Sequence, residues 1–264
     1  MLPLKLIDEN GTTFGVERVK NRQRVSTKDY FTEMAEGNLS GHKTVSKFGF
    51  TDAANETHEE VWTAETAYTY ITTPATLYLS SSNTNDDQPY EIQGLDGDWN
   101  EQTETVTANG FLPITLPGTW TRIFRMKNMG TTNNAGIIYV GIDSDPGGDG
   151  IPDAPTDIKG EIAVGRNQTL MAFWAVPTNH TAYVTNFYAS CAHATAKVGE
   201  VALWVRPYGG VFQTKKIISI NNGQTAQIRY DFPLKVEAKS DIRITAKAAS
   251  DLTISAGFDL WYEE

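Results

Sequence analysis

The stretch Asp241-Ile-Arg-Ile-Thr-Ala-Lys247 decides the fold class of this chain. Every second residue in it is apolar, which is the pattern of a strand that buries one face. The same alternation occurs in Glu200–Arg206 and in Thr253–Tyr262. Uninterrupted helical periodicity of apolar residues is almost absent from the rest of the sequence. We therefore expect an all-β protein.

Turn-forming residues separate the alternating runs. They lie at Asn221-Asn-Gly-Gln224, Pro207-Tyr-Gly-Gly210, Ala108-Asn-Gly110 and Gly130–Gly136. From residue 160 onward there are about eight strand candidates at roughly 8–12-residue spacing, and the segment before residue 142 contains more. Short antiparallel strands with this spacing indicate β-sandwiches of the jelly-roll type.

Changes of composition divide the chain into three segments. Between Asp143 and Pro155, residues Gly, Pro and Asp replace nearly all apolar ones, as is typical of a linker. We therefore expect a first β-sandwich at residues 48–156, with the linker at 143–155, and a second jelly-roll-like sandwich at 157–264. Residues 1–47 are charged and show little alternation, so we expect an extended N-terminal arm.

Charge and cysteine content exclude several classes of protein. The chain has 32 acidic and 22 basic residues, a net charge of −10 that repels phosphate backbones and anionic membranes. Nucleic acid and membrane are therefore not expected partners. Cys191 is the single cysteine, so no internal disulfide can form. The N-terminal stretch reaches a charge too early for a signal peptide, and we expect synthesis in a host cytoplasm.

The linker is the most specific polar constellation in the sequence. Asp143, Asp145, Asp149 and Asp153 offer hard oxygen ligands on a Gly-rich turn, the chemistry that Ca²⁺ coordination requires. The regular Asp spacing of calcium loops is interrupted by Pro146, Gly147 and Gly148, and no bidentate Glu follows. The residues thus predict either a Ca²⁺ site or a solvated acidic turn, and no other cofactor is expected.

Catalytic signatures are missing from the sequence. It contains no Gly-x-Ser-x-Gly elbow and no Gly-x-x-x-x-Gly-Lys-Ser/Thr loop, and its four histidines are scattered. We therefore expect a protein that is not an enzyme. The tryptophans and the Tyr68-Thr-Tyr70 stretch are compatible with stacking on sugar rings, but their alternation within strands favours core packing or subunit interfaces.

Basic residues are concentrated in the predicted arm. Arg18, Lys20, Arg22, Arg24 and Lys28 place five of the 22 basic residues within 11 positions of an otherwise acidic chain. Such a segment can dock against an acidic neighbour or against a second copy of the chain. A solvated loop is the alternative interpretation.

Three stretches carry a resemblance to a known family. They are Gly37–Gly49, Ile92–Thr107 running into Trp120–Met126, and Asn167–Pro177. Taken together and in this order, they resemble virion structural proteins of tailed phages and other large viruses from marine waters, over residues 37 to 264. The resemblance implies a virion location and partners that are other capsid or tail proteins.

The resemblance implies a non-enzymatic, homo-oligomeric component that decorates the capsid or associates with the head or a vertex. Two alternatives stay open. One is a tail or spike component that binds a host receptor or glycan. The other is a major capsid protein with two jelly rolls in one chain. Major capsid proteins of tailed phages usually contain a long helix, which this sequence does not predict.

Overall fold

The computed structural model describes residues 29–52, 54–64, 66–144, 147–249 and 251–264, together with the backbone of four short strands between residues 6 and 24. Of the described residues, 52% lie in strands and 4% in helices, so the all-β prediction is confirmed. No helix in this part of the chain has the length and hydropathy needed to cross a membrane.

The chain divides into two compact units, residues 1–43 and residues 44–264. In the first unit, strands β1 (Leu6–Ile7) and β2 (Thr13–Phe14) form one antiparallel pair, and β3 (Glu17–Val19) and β4 (Arg22–Arg24) form another. Helix α1 (Tyr30–Ala35) follows.

Helix α1 ends in a Schellman motif, in which the Gly37 amide donates to the Met34 carbonyl and the Asn38 amide to the Glu33 carbonyl. Gly37 has a φ of 74°, a conformation that glycine adopts without a steric penalty. The segment that we expected to be an extended arm up to residue 47 therefore contains regular structure, since residues 42–47 also begin the next strand.

In the described part of the second unit, the regular secondary structure consists almost entirely of strands. They are β5 (His42–Thr51), β6 (Glu59–Glu60), β7 (Tyr78–Ser81), β8 (Pro89–Asp96), β9 (Glu101–Thr107), β10 (Ile114–Thr115), β11 (Trp120–Asn128), β12 (Ile138–Gly141), β13 (Ile158–Ile162), β14 (Phe173–Ala175), β15 (Thr181–Ala192), β16 (Val198–Arg206), β17 (Gln213–Asn221), β18 (Thr225–Val236), β19 (Asp241–Ala248) and β20 (Thr253–Glu263). A short 3-10 helix at Pro155–Asp157 precedes β13.

These strands form four antiparallel sheets, which we group into two sheet pairs. The first sheet pair consists of β10-β7-β12-β13 and β11-β8-β9. The second sheet pair consists of β14-β19-β16-β17, with β6 added beside β19, and of β18-β15-β20-β5. Because β5 and β6 precede the first sheet pair in sequence and β14 follows it, the first sheet pair is an insertion into the second.

Each sheet pair has its own apolar cluster. In the first pair, Leu79 and Ile92 from opposite sheets belong to one cluster of fully buried side chains. In the second pair, Leu203 and Phe258 from opposite sheets likewise belong to one cluster of buried side chains. The second cluster also includes Trp99 of the first sheet pair, so apolar packing continues from one pair into the other.

Most strand predictions agree with the structure, particularly in the C-terminal half. The predicted inward residues of β20 are all buried: Ile254, Ala256, Phe258, Leu260 and Tyr262. After β6 the chain turns, and Trp62 makes only an isolated bridge to Met171.

Strand β13 lies in the predicted second domain but pairs with β12 across the linker, with Tyr139 opposite Glu161. A strand pattern identifies a strand but not its partner, which explains this difference. The two-domain division at residues 143–155 stays a prediction.

Glu161 is an acidic residue inside this buried strand. It is 8% exposed, and all five residues of β13 are buried. Burial removes water from the carboxylate and raises the pKa of Glu161 to about 7, because the charged form loses hydration. The folded state therefore binds this proton more tightly than the unfolded chain does.

This pKa predicts a pH-dependent penalty. As pH rises from about 4.5 to 7, Glu161 ionises in the unfolded chain but stays protonated in the folded protein, so the free energy of unfolding falls; above pH 7 both states are ionised and the penalty stays constant. We expect Glu161→Gln to raise the free energy of unfolding by about 2–3 kcal/mol at pH 8 and to have much less effect at pH 4.5. Urea unfolding at both pH values measures this difference, with the exposed Glu56→Gln as control. Equal effects of Glu161→Gln at both pH values would contradict the assignment.

Candidate functional site

The acidic linker residues are only partly gathered in the structure. The Asp143 Oδ2 atom accepts a hydrogen bond from the Asp153 amide at 2.9 Å, and the Asp149 Oδ1 atom accepts one from the Ile151 amide at 3.0 Å. Asp145 lies outside the described residues. Among the residues that the structure describes, no group of three or more His, Cys, Asp or Glu side chains is placed to hold a metal ion. Calcium binding stays a prediction that depends on Asp145.

The basic residues of the N-terminal segment are described only in part. The backbone of Arg18 lies in β3, opposite Gln23, and the backbones of Arg22 and Arg24 lie in β4. Lys20 and Lys28 lie outside the described residues. The docking role of these five residues therefore stays a prediction.

Strands β17 and β18 form two neighbouring sheet edges. Each is the last strand of its sheet, and the turn at Asn222–Gln224 joins them. The two strands are close in space: the Lys216 Nζ atom of β17 lies 6.0 Å from the centre of the Tyr230 ring of β18. We call these two strands the edge surface.

The edge surface exposes large apolar side chains. Phe232 is 88% exposed and Ile217 is 51% exposed. Phe232 lies where the register of β18 against β15 breaks, between the pairs Val184–Leu234 and Asn186–Arg229. The extra residues of β18 form a bulge here, and Pro233 within it has no amide hydrogen to donate. A bulge and a proline prevent another strand from pairing with this part of the edge, so contacts here must be made by side chains.

The edge surface is also basic. Strands β17 and β18 contain Lys215, Lys216, Arg229 and Lys235 against the single acidic residue Asp231. The whole chain carries a net charge of −10, so this surface is complementary in sign to the body of another copy.

A second polar feature lies where the two sheet pairs meet. Arg122 of β11 and Asp241 of β19 are both buried, and their side chains form a two-point ion pair. The Arg122 Nε atom lies 2.6 Å from the Asp241 Oδ1 atom, and the Nη2 atom lies 3.1 Å from Oδ2. The remaining Arg122 nitrogen, Nη1, donates to the carbonyls of Ile71 at 2.8 Å and Thr121 at 2.6 Å. Every nitrogen of this guanidinium is therefore satisfied.

Asp241 also binds a second arginine. The Arg206 Nη2 and Nε atoms lie 2.6 and 3.0 Å from the Asp241 Oδ2 atom. Aromatic rings pack on the two guanidiniums. The Arg122 Cζ atom lies 4.6 Å from the centre of the Trp99 ring, and the Arg206 Cζ atom lies 4.2 Å from the centre of the Tyr70 ring. We call Arg122, Asp241, Arg206, Trp99 and Tyr70 the interlocking cluster.

The Arg122 and Asp241 side chains are only 9% and 4% exposed, whereas the Arg206 side chain is 25% exposed. Burial raises the pKa of the Tyr70 phenol well above its ordinary value, and its oxygen is buried without a hydrogen-bond partner in the structure. The Tyr70 ring therefore serves as an apolar and π surface for the arginines rather than as a proton donor or acceptor. One carboxylate shared by two arginines leaves this cluster with a local positive charge.

Sequence reasoning missed the interlocking cluster. Arg122 lies in a strand that also contains Arg125 and Lys127, and Asp241 begins the strand with the clearest alternation of apolar residues. A charged residue inside a predicted buried strand is a signal for an ion pair, but sequence alone does not identify its partner 119 residues away.

Comparisons with known proteins give only distant likenesses. No family model matches the chain, and no curated protein matches its sequence. A structure of infectious bursal disease virus Gt strain is 10% identical to this chain, with a TM-score of 0.23. The match covers 85% of this chain and 72% of the viral chain. The PBSX exported protein XepA is 9% identical with a TM-score of 0.18, and the match covers 98% of this chain and 100% of XepA.

A third likeness is to the VP2 subviral particle of infectious bursal disease virus. It is 9% identical with a TM-score of 0.21 and covers 85% of this chain and 72% of the other. The structural neighbours thus include viral capsid proteins and an exported PBSX protein. Scores at this level carry no argument about what this chain does.

The interlocking cluster predicts a large effect of a small change at Asp241. Asp241→Asn removes the charge that compensates two arginines, one of which is fully buried, so we expect the free energy of unfolding to fall by about 3–5 kcal/mol. Chemical denaturation measures this loss, with the exposed Asp251→Asn as a matched control that should stay within about 0.5 kcal/mol of the unchanged protein. A comparably small loss for Asp241→Asn would show that the ion pairs do not hold the sheet pairs together.

Proposed function

We propose that this chain is a non-enzymatic structural protein of a virion, which decorates the capsid or associates with the head or a vertex and acts through protein–protein contacts. The edge surface carries this proposal, because Phe232 is 88% exposed on a strand that cannot pair there with another strand. Exposed apolar patches are typical of interaction sites, and the edge surface exposes both Phe232 and Ile217.

The charge of the edge surface supports contacts with copies of the same chain. Four basic residues against one acidic residue face solvent or lie partly exposed on β17 and β18, whereas the chain as a whole is strongly acidic. A contact between the edge surface of one copy and the acidic body of the next is heterologous, and such contacts generate closed rings when the rotation closes. The proposal therefore includes a homo-oligomer built around a symmetry axis.

The sheet arrangement supports the expected architecture. Each sheet pair encloses one apolar cluster that draws residues from both of its sheets, as β-sandwiches do. We propose two jelly-roll-like sandwiches, with the first inserted into the second. A tail or spike position and a double jelly-roll major capsid protein are the alternative forms of this proposal.

Particle composition tests the virion role directly. We expect the chain to co-sediment with density-gradient-purified particles of the virus that encodes it, in a fixed ratio to the major capsid protein by quantitative mass spectrometry. Recovery of the chain only from the soluble fraction of the lysate would contradict the proposal. Labelling of particles with an antibody to the chain separates head, vertex and tail positions.

The edge surface makes a separate prediction about assembly. Phe232→Ser removes an exposed ring, so the thermal unfolding temperature should change little, while the oligomer seen by light scattering at micromolar concentration should dissociate. Val164→Ser is the matched control, since Val164 is 58% exposed but lies outside the edge surface. An oligomer that survives Phe232→Ser, or an unchanged chain that is monomeric both in solution and on particles, would reject this interface.

A further inference from the structure

An open cleft lies beside the interlocking cluster. It has a volume of about 400 Å³, within the range of small-ligand sites. Its walls come from four loops and from the ends of strands in both sheet pairs, and they include Trp99, Thr121, Arg206, Tyr208, Lys239 and Asp241.

Two aromatic rings form a corner of this cleft. The rings of Trp99 and Tyr208 are 5.6 Å apart between centres and perpendicular, at 90°. Trp99 is 8% exposed, whereas Tyr208 is 67% exposed and projects at the mouth of the cleft. Perpendicular faces suit a puckered ring with C–H groups on several sides, whereas a flat base stacks best on parallel faces.

The cleft is positively charged in an acidic protein. Arg122, Arg206 and Lys239 line it against the single carboxylate of Asp241. Within the described part of the chain, the Arg206 Nη1 atom has no hydrogen-bond partner and Lys239 forms no ion pair; the Lys239 Nζ atom lies 5.5 Å from the centre of the Tyr208 ring. Two donors therefore remain available for an anionic group.

Two further features of the cleft point to a ligand. Thr121 at the wall of the cleft is 4% exposed, and its side-chain oxygen has no hydrogen-bond partner among the described residues. In addition, Trp99 and Lys239 have φ angles of 69° and 60°, a conformation that a bulky residue adopts only where the surrounding structure enforces it. Backbone strain of this kind is concentrated at binding and catalytic sites.

From this combination we infer that the cleft binds an acidic saccharide unit that carries a carboxylate. The sugar ring packs in the corner between Trp99 and Tyr208, and the carboxylate lies between the Arg206 guanidinium and the Lys239 ammonium. This inference goes beyond the assembly role and is independent of it, because none of the cleft residues lies on the edge surface.

Calorimetric titration of the full chain tests the site. The probes are trigalacturonate, the neutral maltotriose and ATP, a different kind of anion. We expect saturable binding of trigalacturonate that weakens with added salt, and about tenfold weaker binding of maltotriose and of ATP.

Variants locate the binding. Lys239→Gln and Tyr208→Ala change partly or largely exposed side chains, so both proteins should stay folded by circular dichroism and should bind trigalacturonate about tenfold more weakly. Lys235→Gln, an exposed lysine outside the cleft, is the matched control and should bind normally. Absence of saturable binding, equal or tighter binding of ATP or maltotriose, or unchanged affinity in both cleft variants would overturn the inference. None of these results bears on particle incorporation.

Discussion

The ion pair between Arg122 and Asp241 is the interaction on which the larger unit depends most directly. It joins a strand of the first sheet pair to a strand of the second at 2.6 Å, and both residues are buried. A buried charge is costly unless its partner and its remaining hydrogen bonds are in place. Here the carbonyls of Ile71 and Thr121 and the second arginine complete the set, so the relative position of β11 and β19 is narrowly defined.

The topology explains why a directional contact between the two sheet pairs stabilises the fold. The first sheet pair is inserted between β6 and β14 of the second, so the second pair is completed only when distant parts of the chain meet. Apolar packing alone is nondirectional. A two-point arginine–carboxylate contact adds direction, and it places Trp99 and Arg206 at the wall of the adjoining cleft. The element that fixes the architecture therefore also shapes the site that we infer for an acidic saccharide.

Strand positions could be predicted from the sequence because alternation is a local property. The Asp241–Lys247 pattern became β19, and the Thr253–Tyr262 pattern became β20. Partners could not be predicted, because pairing depends on contacts distant in sequence: β5 lies beside β20, and β13 pairs back with β12. Phe232 was missed for a related reason, since a bulge is visible only against the register of the neighbouring strand.

A double-mutant cycle on Arg122 and Asp241 tests the central claim most directly. The free energy of unfolding would be measured by urea denaturation for Arg122→Leu, Asp241→Leu and the double variant. We predict a coupling energy of about 2–3 kcal/mol, with the double variant more stable than the sum of the single losses implies, because Asp241→Leu alone leaves the buried Arg122 without a counter-charge and the double variant does not. Losses that add to within about 0.5 kcal/mol would show that the two side chains act independently and that apolar packing alone joins the sheet pairs.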